Sequence, residues 1–388
     1  LFANTTLVYN DYNFKFSGAQ NDFEVKLNSG IRDINAKTDF DFYPASNHKL
    51  KFGALYTYHK FTPSVVSGRQ DSVVFNPLNA QVKFAHEAAL YVQDDWDINP
   101  KIRVHLGLRY SFFQQIGPYK IYTTDDDGNR TDSTVFGNGK KIITYTGLEP
   151  RFTLRHSLNE ATSLKASVTR NLQFIHLVSN AGTTLPTDIW VPSTYLVKPQ
   201  ISWLYAAGIY KNFKNGTYET SVELYYKKMQ NQIEYREGYT PSTLRDTEED
   251  FTFGKGWSYG TEFFVNKVKG KLTGWIGYTL SKTWRKFPAL NDGQKFPAKF
   301  DRRHDLSVVA MYELNAKWKL SATFVYGTGN AFTLPVNFYI YDGILTQEYS
   351  KINQHRLPAY HRLDFAAILP PLKNKNRTWQ SQWVFGAY

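Results

Sequence analysis

Apolar and polar residues alternate with period two along most of this chain, and that pattern restricts the fold more than any other feature. In residues 101–110, Ile102, Val104, Leu106, Leu108 and Tyr110 share one parity, while Lys101, Arg103, His105, Gly107 and Arg109 share the other. Residues 148–156 set Leu148, Phe152 and Leu154 against Glu149, Arg151, Thr153 and Arg155. Residues 218–227 set Tyr218, Val222, Leu224 and Tyr226 against Glu219, Ser221, Glu223 and Lys227. Successive side chains of a strand point to opposite faces, so each segment is a strand with one apolar and one polar face. Helical period is nearly absent. Alternation does not say which face is enclosed, because a soluble sandwich alternates too.

Connection lengths decide between the two. The pattern predicts about fifteen strands: 1–17, 22–43, 47–62, 84–98, 101–116, 143–157, 162–176, 201–213, 217–235, 252–267, 270–285, 299–313, 317–328, 358–369 and 378–388. Short turns fall at Pro44–Asn47, Asn99-Pro100, Leu158–Ala161, Lys214–Gly216, Lys269-Gly270, Asn315-Ala316 and Pro371–Arg377. Between them lie long loops at 63–83, 117–142, 177–200, 236–251, 286–298 and 329–357; the first outer junction, Ser17–Asn21, is short. Tight turns at one end and long loops at the other are the pattern of an outer-membrane barrel. The fold class expected is therefore all-β, an antiparallel transmembrane β-barrel. Single-chain bacterial barrels have even strand numbers, so an odd count implies that at least one strand is missing. Residues 1–388 are expected to form one partial barrel domain.

Composition agrees. Hydrophobic residues make up 42% of the chain, yet mean hydropathy is −0.46 and no run of 18 apolar residues exists, which excludes a transmembrane helix. Aromatic residues reach 16%, as alternating strands with aromatic girdles require. Trp96, Tyr312 and Trp318 lie beside short turns, and Tyr110, Phe112 and Phe113 near long-loop ends, the two depths at which amphipathic rings settle. The net charge of +12 is spread along the strands rather than clustered, which argues against nucleic acid as a partner. Absence of cysteine excludes disulfide scaffolds and thiolate metal sites. The opening Leu1-Phe2-Ala3-Asn4 is neither a Met start nor a signal peptide, so a fragment of a longer chain is expected.

Several segments resemble barrel strands of TonB-dependent receptors of the Bacteroidetes type. Leu90-Tyr91-Val92-Gln93-Asp94-Asp95-Trp96 followed by Leu106-Gly107-Leu108-Arg109-Tyr110 is similar to a hairpin of that family. So are Gly147-Leu148-Glu149-Pro150-Arg151, Ser258-Tyr259-Gly260-Thr261-Glu262, Gly277-Tyr278-Thr279-Leu280-Ser281 and Phe300-Asp301-Arg302-Arg303-His304. The loop from Leu185 to Ser193, ending in Lys198-Pro199-Gln200, belongs to the same set. The resemblance implies a barrel of 22 strands, of which the first here would be the seventh. It also implies a plug domain of the same protein, absent from these residues, and an energising inner-membrane TonB-type protein. A surface lipoprotein partner is compatible with it, and the bilayer contact would be outer-membrane lipid. The function expected is import of a scarce nutrient through a plugged barrel, with a passive porin, a secretion conduit or a structural barrel subunit as alternatives.

The residues bound the chemistry. His105 stands beside Arg103 and Arg109 without the serine and orienting carboxylate that a hydrolase would need, so neither an enzyme nor a cofactor is expected. The run Asp125–Asp132 has oxygen ligands at calcium-like spacing, but the sixth position is Arg130 and the twelfth Phe136, which fits a polar turn better than an EF-type loop. No metal site is expected. Arg103, His105, Arg109, Arg151, Arg155, Glu262, Arg303 and Asp305 are expected to face the lumen. Trp190, Tyr195 and Trp203 around one loop, and Phe338, Tyr339 and Tyr341 in another, are the candidate ligand-binding residues, because rigid aromatic faces give large contact area.

Overall fold

The computed structural model describes the chain apart from residues 21–22, 71–72, 76–80, 126–129, 179–188, 238–245, 316, 342–343 and 370–380. Fifteen wall strands follow one another. They are β1 (Phe2–Gln20), β2 (Phe23–Ala45), β3 (His48–Gln70), β4 (Lys83–Asn99) and β5 (Ile102–Ile116). Next come β6 (Lys141–Asn159), β7 (Thr162–Gln173), β8 (Gln200–Phe213), β9 (Tyr218–Tyr235) and β10 (Phe251–Lys267). The last are β11 (Leu272–Lys286), β12 (His304–Glu313), β13 (Lys319–Gly327), β14 (Tyr360–Leu369) and β15 (Trp383–Ala387). Each pairs antiparallel with the next, so the wall is an unbroken meander. Among the described residues β1 pairs with β2 alone and β15 with β14 alone, which leaves two edges. The fifteen expected strands are these fifteen.

Local chemistry explains the short turns. Asn99 accepts the backbone N–H groups of Lys101 and Ile102 at 2.9 Å each. Asn159 does the same for Ala161 at 3.0 Å, and Asn315 for Lys317 and Trp318 at 2.8 and 3.0 Å. An asparagine side chain that replaces a backbone acceptor reverses the chain in few residues. At Lys214-Asn215-Gly216 all three residues take positive φ (49°, 53° and 71°), which asparagine and glycine tolerate best.

The strands are longer than a membrane needs. The 17 residues of β4 reach ~55 Å when extended and still rise ~40 Å at a ~45° tilt, beyond a ~25 Å apolar band. The upper wall therefore stands clear of the hydrocarbon. Cross-strand partners share a face, and one row runs Leu106, Phe152, Val168, Tyr205, Tyr226, Tyr259. Leu90, Leu106 and Leu108 are 63%, 45% and 45% exposed on that side. On β2–β6 the opposite parity carries most of the charges, Asp94 beside Leu106 and Arg32 beside Asp11 excepted. Large apolar side chains on an open convex face suit lipid and not water. The apolar clusters lie at the long-loop rim instead. One joins Val178, Ile189, Val191, Val197, Ile233, Tyr235 and Phe251; another joins Ile31, Phe61, Ala85, Phe113 and Phe174; a third joins Phe287, Leu290 and Phe296.

Four expectations change. Phe113 does not join the girdle with Tyr110: period two turns it to the face that carries Arg109, where it is fully buried and stacks on Phe174 at 5.0 Å. Val104 keeps the parity of Leu106 but is covered between its partners Trp96 and Leu154. β3 runs on to Gln70, so the loop after it is shorter than its composition suggests. β12 begins at His304 rather than 299, because Asp301 is turned out of strand geometry to hold other groups.

Candidate functional site

The charged face of β2–β6, the one expected to line the lumen, is a ladder of ion pairs. His59 Nδ1 lies 2.8 Å from Asp33 on β2, and its Nε2 lies 3.4 Å from Glu87 on β4. Arg109 on β5 reaches Glu149 on β6 at 3.4 Å and Glu87 at 4.0 Å. Glu149 is 4% exposed, accepts the Ser111 hydroxyl, and accepts the Leu172 N–H at 3.2 Å. Below it His105 meets Asp95 at 2.8 Å, and Arg103 meets Asp97 at 2.8 Å. Arg151 and Arg155 project from β6 with their side chains exposed. Glu262 faces Glu223 across the β9–β10 register. Asp305 meets Arg302 at 3.5 Å, and Arg303 is half-buried just before β12.

Above this wall the six long loops hold one another. Gln81 donates to the Lys120 carbonyl at 2.8 Å and accepts its N–H at 2.7 Å, which joins loops 63–83 and 117–142. Tyr119 donates to Asp246 at 2.6 Å and meets the Tyr195 ring edge-on at 6.3 Å, which brings in loops 236–251 and 177–200. Glu237 accepts the Asn291 N–H at 2.8 Å, and Asn353 donates to the Pro297 carbonyl at 3.0 Å, which adds loops 286–298 and 329–357. The six therefore occupy one rim.

The centre of this roof is a buried ionic knot. Glu248, in the 3₁₀ turn Thr247–Asp250, is 2.8 Å from Lys83 and accepts the Thr194 hydroxyl at 2.7 Å. Tyr145 donates to the Thr194 carbonyl at 2.8 Å, and Tyr195 N–H to Gln115 at 3.2 Å. Burial, with Glu248 and Asp246 adding to it, holds the Tyr119 phenol far above its usual range, so it remains a donor. Burial and Glu248 also raise Tyr195. His176, in the strand pair Ile175–Val178 with Ile189–Pro192, lies 3.1 Å from the Ser193 hydroxyl, and burial pushes it down to about 4.

The candidate ligand residues separate. Trp190 stands on that strand pair opposite Leu177, 36% exposed. Tyr195 is half-buried against Tyr119. Trp203 lies on the outer face of β8, stacked with Tyr205, beside a ~410 Å³ hollow shared with Leu106, Leu108 and Phe152. Phe338 and Tyr339 are exposed on the hairpin Pro335–Tyr341 with Ile344–Tyr349; the Tyr341 side chain lies outside what is described. So do Asp126–Asn129, the centre of the acidic run.

A family model described as TonB dependent receptor-like, beta-barrel matches residues 2–381. The chain belongs to this family. It is the wall of an outer-membrane receptor barrel. The ferric yersiniabactin uptake receptor FyuA of Yersinia pestis superposes with a TM-score of 0.63 at 12% identity, over 95% of this chain and 51% of that one. The ferric-catecholate import receptor Fiu of E. coli K12 gives 0.59 at 13%, over 96% and 56%. The FrpB iron transporter of Neisseria meningitidis gives 0.57 at 14%, over 95% and 56%. This chain thus spans about half the length of the solved receptors it matches, and the likeness at that identity is one of fold. No curated protein sequence matches it significantly.

The motif residues of this receptor barrel have structural duties. Tyr91 lies across Gly53, where a Cβ would come 2.8 Å from its ring, and donates to Asp39. Asp301 is buried, accepts the Thr283 N–H at 2.6 Å and pairs with Arg356 from loop 329–357. Lys83, Thr194, Asp246 and Glu248 were not singled out by period or motif. The one signal was the acidic run Glu248-Glu249-Asp250 directly before a strand.

Proposed function

We propose that this barrel is the wall and mouth of a receptor that imports a scarce nutrient, energised through its own plug domain by an inner-membrane TonB-type protein. The observation that carries this is the roof: the six loops are tied to one another at one rim beyond the charged face, as a restricted mouth requires. An open porin gains nothing from a buried Lys83–Glu248 pair there. Exposed Trp190, Phe338 and Tyr339 offer flat faces at the same rim. Rigid aromatic rings bind ring-bearing ligands at small entropic cost. The family and the three solved iron receptors make a ferric chelate with aromatic groups the first cargo to test.

The test is growth on a ferric catecholate as sole iron source, in cells carrying the full receptor with or without the inner-membrane energising protein. Uptake should require both. Trp190→Ala should weaken binding of the chelate about tenfold in a receptor whose heat-modifiable gel mobility is normal. Uptake that persists without the energising protein would favour a passive pore. Unchanged binding in Trp190→Ala would remove this loop from the site.

A further inference from the structure

The outer face of β9–β11 carries lysines that the chain itself does not neutralise. Following the apolar row upward, Tyr226 and Tyr259 face each other, then Lys228 stands opposite Trp257, and Trp257 opposite Trp284. Lys282 stands opposite Tyr259, and Lys255 directly opposite Lys286. Lys282 Nζ lies 4.3 Å from the Trp284 ring centroid, and Lys295 Nζ, from the loop above, lies 4.9 Å from the same ring. No carboxylate pairs with these five lysines among the described residues. The neighbouring acids have the other parity: Glu262 faces the lumen, and Glu234 is buried against Arg285. On β1 and β2 the same outer face carries an ion pair instead, Arg32 with Asp11 at 2.7 Å.

Like charges directly opposite on adjacent strands are destabilising. An ammonium at a membrane surface also extends toward the headgroups rather than lie in hydrocarbon. The strip stands toward the long-loop end of the wall, with Lys282 in register with Tyr259 and the strand lysines Lys228, Lys255 and Lys286 beyond it, past exposed Leu224 and Phe263. A ligand that fits has several anionic oxygens at headgroup height and acyl chains that run down the apolar row. We propose that this strip binds the phosphates of a phosphorylated lipid in the outer leaflet. The inference rests on the reading that the convex face meets the membrane.

The experiment uses the full receptor in nonionic detergent, with lipid A as probe and bound lipid counted by native mass spectrometry. Wild type should retain phosphorylated lipid A, and dephosphorylated lipid A should bind at least tenfold more weakly. Inorganic phosphate at equal concentration should not displace the lipid; displacement would mean a free-anion site and overturn the proposal. The triple variant Lys228→Gln, Lys255→Gln, Lys282→Gln should lose at least tenfold in binding, and the corresponding Lys→Arg triple should keep it. Lys211→Gln with Lys267→Gln, at the short-turn end, should change nothing. Unchanged binding in the Gln triple, or an equal loss in the turn-end pair, would overturn the proposal. Normal heat-modifiable mobility establishes that each variant is folded. A wrong orientation of the wall would show separately, as a spin label at Leu224 inaccessible to lipid-dissolved oxygen.

Discussion

A single residue shows how tightly face and function are linked in this wall. Leu106 opens the apolar row, between Asp94 and Phe152, with its side chain exposed on the apolar face. Leu106→Arg should cost about 2–4 kcal/mol if that position is near the bilayer midplane, read by urea refolding into vesicles. The cost should be near zero if the face meets water. Arg109, three positions on, has the opposite parity and two carboxylates within 4.0 Å. The opposite parity of the two was legible in the alternation. The partners of Arg109 were not, because period two gives the face but not the neighbour: Glu149 lies 40 residues further along the chain. Phe113 was misplaced for a related reason. Two adjacent aromatic residues cannot both join an outer girdle, and composition does not say which one turns inward.

The loops gain their order from buried polar contacts rather than from regular structure. Lys83 and Glu248 lie in different loops' reach and are both almost fully buried. Removing one partner leaves the other charge uncompensated, at a cost of about 3–5 kcal/mol. Glu248→Ala should therefore expose loops 177–200 and 236–251 to chymotrypsin, whereas Lys83→Met combined with Glu248→Leu should restore much of the resistance. His176 adds a pH dependence. Its folded pKa of about 4 lies below the ordinary 6.5, so the unfolded strand pair binds the extra proton. The stabilisation is full above pH 6.5 and is lost as pH falls toward 4, by at most about 3 kcal/mol. Amide exchange of residues 175–178 and 189–192 should quicken over that window, and His176→Phe should abolish the dependence. Apart from the acidic run at Glu248, little of this was readable in the loop sequences, since contacts such as Lys83–Glu248, 165 positions apart, and Thr194–Glu248, 54 apart, leave no local pattern.

At the scale of the whole molecule, the order and number of strands followed from alternation plus turn length, because each strand needs only its neighbours to pair. The arrangement of the mouth did not, because it depends on which loops meet across the rim. Among the described residues the sheet has two edges, at β1 and β15, and an unpaired strand edge is not tolerated in hydrocarbon. In the full receptor, cysteines at Thr5 and Thr38, which face each other in register, should form a disulfide; cysteines at Thr5 and Phe385 should not. Cross-linking of the second pair would mean that these fifteen strands close on themselves. The central claim is that the apolar parity faces lipid and the charged parity an enclosed lumen. The chain has no cysteine, so single-cysteine spin labels can be placed one residue at a time along β5 in the receptor reconstituted in vesicles. Labels at Leu106, Leu108 and Tyr110 should relax with lipid-dissolved oxygen, and labels at Gly107 and Arg109 should not. Oxygen access that does not alternate, or that favours Gly107 and Arg109, would contradict the account.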